Sequence, residues 1–179
     1  MKLKSILFVI IFVLLINIIF TGSIMAEEPP EIHFRETGIT AGANLATFRD
    51  ASTGVNIFAG FSFPVSGDLL LTPQYELYVA EGLWLNGITA DFRYDVATVV
   101  GDEIDILSFF TKGAIGYYFG DFEDEDISGL GLKAGVGADA ELFAGLGVTG
   151  NVSFRGLDFE DANINLTGIE VGLGVYYDF

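Results

Sequence analysis

The sequence predicts an all-β fold: an eight-stranded antiparallel up-and-down transmembrane β-barrel over residues 38–179. A cleaved signal peptide at residues 1–26 and a short lead-in at residues 27–37 precede it. Three observations carry this. Two lysines and a long apolar run open the chain, eight later segments alternate apolar residues with small or polar ones, and no segment after the opening run has a helical period.

Lys2 and Lys4 precede an apolar run from Ile6 to Phe20, broken only by Asn17, and the run leads to Ile24-Met25-Ala26. A positive start, an apolar middle and a small residue at the end are the marks of a secretory signal peptide, with cleavage expected after Ala26. The competing reading is an anchoring helix, which wants about 20 apolar residues. Beyond Ala26 the chain is long enough for one domain, about 150 residues.

There is no cysteine, which excludes a disulfide framework, a thiolate metal site, a cysteine nucleophile and lipid attachment through a thiol. The chain holds 25 Asp and Glu against 8 Lys and Arg, a net charge of −17, which argues against nucleic acid as a partner. Yet the mean hydropathy is +0.50, and 23 residues are glycine. Acidic and apolar together suit a protein whose apolar surface faces lipid while its charges occupy loops and lumen.

Residues 27–37 hold two prolines and no alternation. Strand one, Gly38 to Phe48, sets Ile39, Ala41, Ala43 and Leu45 against Thr40, Gly42 and Asn44. Strand two, Thr53 to Phe63, sets Val55, Ile57, Ala59, Phe61 and Phe63 outward and Asn56, Phe58, Gly60 and Ser62 inward. Pro64 to Asp68 reads as a turn. Strand three, Leu69 to Ala80, alternates Leu71, Pro73, Tyr75, Leu77 and Val79 with Thr72, Gln74, Glu76 and Tyr78. Pro73 cannot donate to a ladder, so a bulge or break is expected there.

Strand four, Leu85 to Val96, carries Ile88, Ala90, Phe92, Tyr94 and Val96 outward and Thr89, Asp91, Arg93 and Asp95 inward. Strand five, Ile106 to Phe119, places Lys112 inward with Ser108, Ala114 and Gly116, opposite Leu107, Phe109, Thr111, Ile115 and Tyr117. An acidic loop then holds Asp121, Glu123, Asp124, Glu125 and Asp126. Strand six, Ser128 to Glu141, alternates Leu130, Leu132, Ala134, Val136 and Ala138 with Gly131, Lys133, Gly135, Gly137 and Asp139. Strand seven runs from Leu146 to about Phe154 with Arg155 inward. Strand eight, Leu166 to Phe179, alternates Ile169, Val171, Leu173, Val175, Tyr177 and Phe179 with Glu170, Gly172, Gly174, Tyr176 and Asp178.

Open edges in hydrocarbon cost several kcal/mol per unpaired group, so eight such strands must close into a barrel. With both ends of the barrel on the periplasmic side, the loops near 49–52, 81–84, 120–127 and 156–165 would be external. Phe48, Phe63, Trp84, Phe119, Tyr177 and Phe179 fall near strand ends, where aromatic girdles belong.

The exported start, the eight alternating segments, the glycine-rich Gly129 to Ala138 stretch and the terminal Tyr177-Asp178-Phe179 together resemble the small eight-stranded bacterial outer-membrane barrels, of the outer-membrane protein A membrane-domain type. The resemblance implies residence in the outer membrane, contact with its lipid, and Tyr177 and Phe179 as the signal read by the barrel assembly machinery. It implies little about activity, since such barrels include anchors, adhesion factors, lipid-modifying enzymes and small pores. Unlike the prototype, the sequence is expected to carry no peptidoglycan-binding domain and only short external loops, which puts a cell-wall tethering role in doubt.

After the signal peptide six basic residues remain, the eight less Lys2 and Lys4. Four of the six, Arg93, Lys112, Lys133 and Arg155, have lumenal parity. A lysine or arginine facing lipid at midplane costs about 2 to 4 kcal/mol, so the inward placement is expected. Their natural partners are Glu76, Asp91 and Glu170, with Asp95 and Asp139 nearer the periplasmic end. Together they predict a salt-bridged polar plug, or a narrow conductive path if the lumenal glycines leave room for water. The acidic residues 121–126 are a candidate divalent-cation site without the EF-hand spacing, opposed by the plainer reading of a solvated loop. His33 is the only histidine and precedes the barrel, so no catalytic constellation and no cofactor site assembles.

The reading is therefore a non-enzymatic, monomeric outer-membrane barrel with a structural or surface-interaction role. The alternatives are a narrow pore for ions or small solutes, and an exported soluble lipid-binding barrel with its large apolar residues turned inward.

Overall fold

A computed structural model of the chain describes residues 36–49, 51–66, 69–99, 106–159 and 166–179. The expected signal peptide, His33, and Glu160 and Asp161 lie outside the described residues. Eight strands succeed one another in order: β1 (Gly38–Phe48), β2 (Gly54–Ser66), β3 (Leu69–Ala80), β4 (Leu83–Val99), β5 (Ile106–Phe122), β6 (Glu125–Phe143), β7 (Leu146–Phe159) and β8 (Leu166–Asp178). Each pairs antiparallel with its neighbours in sequence, and β8 closes on β1 from Gly38↔Asp178 to Phe48↔Gly168. The sheet has no free edge, which removes the main hazard of a long apolar strand array.

The rim that carries Gly38 and Asp178 is the terminal rim, and the opposite one the far rim. Side chains alternate strictly enough that burial reads as period two in β1, β2 and β3. The outward set is apolar and exposed, as at Ile57, Ile88, Ile115, Leu130, Val152 and Leu173. Among the described strands, charged side chains either point into the lumen or lie at a rim. An exposed apolar belt this extensive exceeds the patches that soluble monomers tolerate.

Several expectations need correction. β4 to β7 are longer than the sequence pattern indicates: β5 and β7 continue pairing at the far rim, and β4 and β6 at both rims. β5 runs through Phe122 and β6 starts at Glu125, so the acidic stretch is a hairpin tip rather than a loop. Its two turn residues, Glu123 (φ 50°) and Asp124 (φ 69°), both take the left-handed conformation that matches the twist of a two-residue hairpin. Ala144 (φ 44°) and Gly145 (φ 79°) do the same between β6 and β7.

At Pro73 there is a local break but no bulge: the β2–β3 ladder skips Thr72 and Pro73 between Gly60↔Gln74 and Phe63↔Leu71 without changing register, while Pro73 stays paired opposite Ala90 of β4. The irregularities fall instead at Pro64/Ser66, Asp95/Ala97 and Glu141/Phe143, all on the terminal rim, where barrels commonly absorb curvature. Phe48 does not join a girdle. It is 4% exposed, points into the lumen and meets Tyr78 edge to face at 5.1 Å.

A layered barrel lumen as the candidate functional site

The lumen is filled in layers. Beneath the far rim lies an apolar cluster that includes Phe48, Tyr78, Leu85, Ile127, Leu157 and Phe159. These residues come from β1, β3, β4, β6 and β7, so the cluster spans the bore as the core of a small soluble domain would.

Below it sits the principal ion network, centred on Glu76 of β3. Glu76 Oε1 accepts from Lys133 Nζ at 2.7 Å and from Gln74 Nε2 at 2.7 Å. Its Oε2 accepts from Asn56 Nδ2 at 3.1 Å, from Tyr118 OH at 3.2 Å and from Arg155 Nη2. Glu170 of β8 completes the group, with Arg155 Nε at 3.1 Å as a charge contact and Lys133 Nζ at 3.7 Å. Two carboxylates and two cations, all essentially without solvent, form a neutral quartet. Such a group is expensive to break, because removing one partner strands the others in a low dielectric.

The register explains why four strands must contribute. Lys133 and Arg155 are direct cross-strand partners on β6 and β7, and Arg93 and Lys112 are partners on β4 and β5. Like charges facing each other across a ladder destabilise a sheet. Here each cationic pair is relieved by carboxylates: Glu76 of β3 and Glu170 of β8 for the first, Asp91 and Asp95 of β4 itself with Asp139 of β6 for the second.

Toward the terminal rim, Lys112 Nζ lies 3.2 Å from Asp91 Oδ2, and Gln74 Nε2 also donates to Asp91 Oδ1 at 3.0 Å. Arg93 donates from Nε to Asp95 Oδ1 at 2.6 Å and from Nη1 to Asp139 Oδ2, with its guanidinium 4.1 Å over the Phe110 ring. A cavity of about 60 Å³ lies between these two groups, walled also by Phe58, Leu70 and Phe110.

All seven residues expected to form the lumen network, Glu76, Asp91, Arg93, Lys112, Lys133, Arg155 and Glu170, therefore face the lumen. They separate into the quartet, the Asp91–Lys112 pair and the Arg93 cluster. Sequence reasoning missed Tyr118, whose parity with Lys112, Ala114 and Gly116 places it inward. It also took the lumenal glycines as room for water. Instead they make room for rings: a methyl added at Gly87 would lie 2.5 Å from the Tyr118 ring, and Gly116 and Gly131 adjoin the same ring.

The acidic candidates do not converge. Asp121 and Asp126 pair on the outward face, Glu125 is opposite Phe122 on the inward face, and Glu123 and Asp124 form the turn. Strand alternation and the two-residue turn thus send the five carboxylates in different directions. Among the described residues no group of three acidic or histidine side chains is disposed to hold a metal ion. Tyr177 lies on the outward face and Phe179 is 62% exposed just beyond β8; Phe179 contacts Phe61 and Tyr177, each at 6.2 Å between ring centroids.

No family model matches the chain, and no curated protein matches it in sequence. Solved structures do match in fold. The barrel resembles Neisserial surface protein A, NspA, with a TM-score of 0.63 at 15% identity, over 80% of this chain and 97% of that one. It resembles the N-terminal β-barrel domain of Pseudomonas aeruginosa OprF, with a TM-score of 0.57 at 13% identity, over 82% and 100% of the two chains. It also resembles a de novo designed transmembrane β-barrel, with a TM-score of 0.55 at 15% identity, over 83% and 100%. The fold is that of the eight-stranded outer-membrane barrels.

Proposed function

We propose that the chain is a non-enzymatic integral protein of the bacterial outer membrane, a barrel that occupies the bilayer without conducting. The observation that carries this reading is the filled bore: the apolar cluster and the Glu76 quartet lie in series across it. The exposed apolar belt supports placement in lipid, because in water it would drive association. The acidic far-rim tips, Glu81 and Glu123 to Asp126, would then face outward as a hydrated surface for interaction, with the assembly machinery reading Tyr177 and Phe179 at the terminal rim.

A narrow pore is the second reading, and the cavity beside Asp91 and Lys112 is what favours it. Planar-bilayer recordings of the folded protein, with Arg93→Ala and Lys133→Ala alongside, distinguish the two. The proposal expects no unit conductance from the wild type. Reproducible steps that change with either substitution make it a channel.

A further inference from the structure

We propose that the terminal half of the lumen is a blind, water-occupied vestibule that opens only at the terminal rim and presents the Lys112 amine to small polar solutes. Its walls are mixed: Asp91, Lys112 and Asn151 line the 60 Å³ cavity together with apolar surface from Phe58, Leu70 and Phe110. That volume is room for about two water molecules at roughly 30 Å³ each. Two further observations point to occupied, solvent-connected space. Asn151 is only 7% exposed, yet its Oδ1 has no hydrogen-bond partner in the protein. A buried amide oxygen of this kind is normally satisfied by water.

The second observation is a contrast between two lysines. The Lys112 side chain is 13% exposed although it projects into the bore, whereas Lys133, deeper in the same lumen, is 2% exposed. Solvent therefore reaches the first and stops before the second. Thr40, near the start of β1, is lumenal and only half-buried, which marks the way in. The floor is Gln74, whose Nε2 is shared between Asp91 and Glu76, and behind it stand the quartet and the apolar cluster.

The inference goes beyond the membrane role, since a barrel with a dry lumen would serve that role equally well. It also makes the amine chemically addressable. A reagent of one carbon, such as formaldehyde, fits where a larger acylating agent does not. It condenses with the unprotonated amine to an imine with loss of water, the imine nitrogen takes a proton from water, and added cyanoborohydride delivers hydride to the iminium carbon. Repetition gives the dimethylamine, which remains cationic and keeps its attraction to Asp91.

The test is reductive methylation of the folded full-length protein in detergent, read by peptide mass spectrometry. After Lys4 the chain has only Lys112 and Lys133, so the readout is a two-site comparison. Lys112 is expected to dimethylate under folded conditions and Lys133 only after denaturation. Thr40→Phe, checked for folding by its gel mobility, is expected to slow Lys112 modification about tenfold by narrowing the entrance, the rate tracking how often the path is open. Protection of both lysines would overturn the vestibule while leaving the non-conducting reading intact. Modification of both in the wild type would show that the lumen is not blind, and together with unit conductance it would sink both proposals. An unchanged Lys112 rate in folded Thr40→Phe would overturn entry at the terminal rim.

Discussion

The two halves of the lumen are built on different physical principles. The far half is closed by side chains such as Leu85, Leu157 and Phe159, which need only fill space. The terminal half is held by paired charges, Arg93 with Asp95 and Asp139 and Lys112 with Asp91, and it retains a cavity. The Glu76 quartet is the boundary between them, with Tyr118 belonging to both: its ring packs in the apolar cluster while its hydroxyl donates to Glu76. The difference teaches that closure and specificity are separable in this barrel. Apolar packing fills the bore without fixing strand partners, whereas the quartet bonds β3 to β6 and β7 across the lumen and penalises any other arrangement.

That contrast can be broken from either side, most severely at the boundary. Glu76→Ala leaves Lys133 and Arg155 buried beside Glu170 alone, and a loss of about 3 to 5 kcal/mol is expected in urea unfolding from lipid vesicles. Leu85→Ala tests the apolar half; it should cost about 3 kcal/mol through the cavity it opens, with the ion network intact. Gly131→Ala forces a methyl against the Tyr118 ring and the Leu157 side chain, and about 1 to 2 kcal/mol should be lost by the same assay. Lys112→Met is the mild case. The Lys112 side chain is 13% exposed, more than the other lumenal cations, and Asp91 keeps the Gln74 hydrogen bond, so a change of about 1 kcal/mol is expected. Asp124→Gly runs the other way, because relief of a non-glycine left-handed residue should raise stability by about 0.5 to 1 kcal/mol without touching either half.

How much of this could be read in the sequence depended on whether the two faces of a strand differ. In β1, β2 and β3 they do, and β1 and β3 end where the alternation says they should. At the far ends they do not: Trp84 points out and Leu85 in, and Tyr117, Tyr118 and Phe119 run consecutively through both faces. A period of two is invisible where both faces are apolar, so the cluster beneath the far rim was not legible and Phe48 was assigned to the wrong side. The charged residues were legible as lumenal because bilayer chemistry forbids the other face. Their pairing was not, since Glu76 meets Lys133 and Arg155 across the bore, at sequence separations of 57 and 79.

The most direct test of the quartet as the cross-lumen brace is a double-mutant cycle on Glu76→Ala and Arg155→Ala, measured as unfolding free energy in lipid vesicles. The account predicts that the double variant loses less than the sum of the singles by about 2 kcal/mol or more, because each single strands the partner that the double removes. Additive losses would mean that the two residues stabilise the barrel independently, and would contradict it.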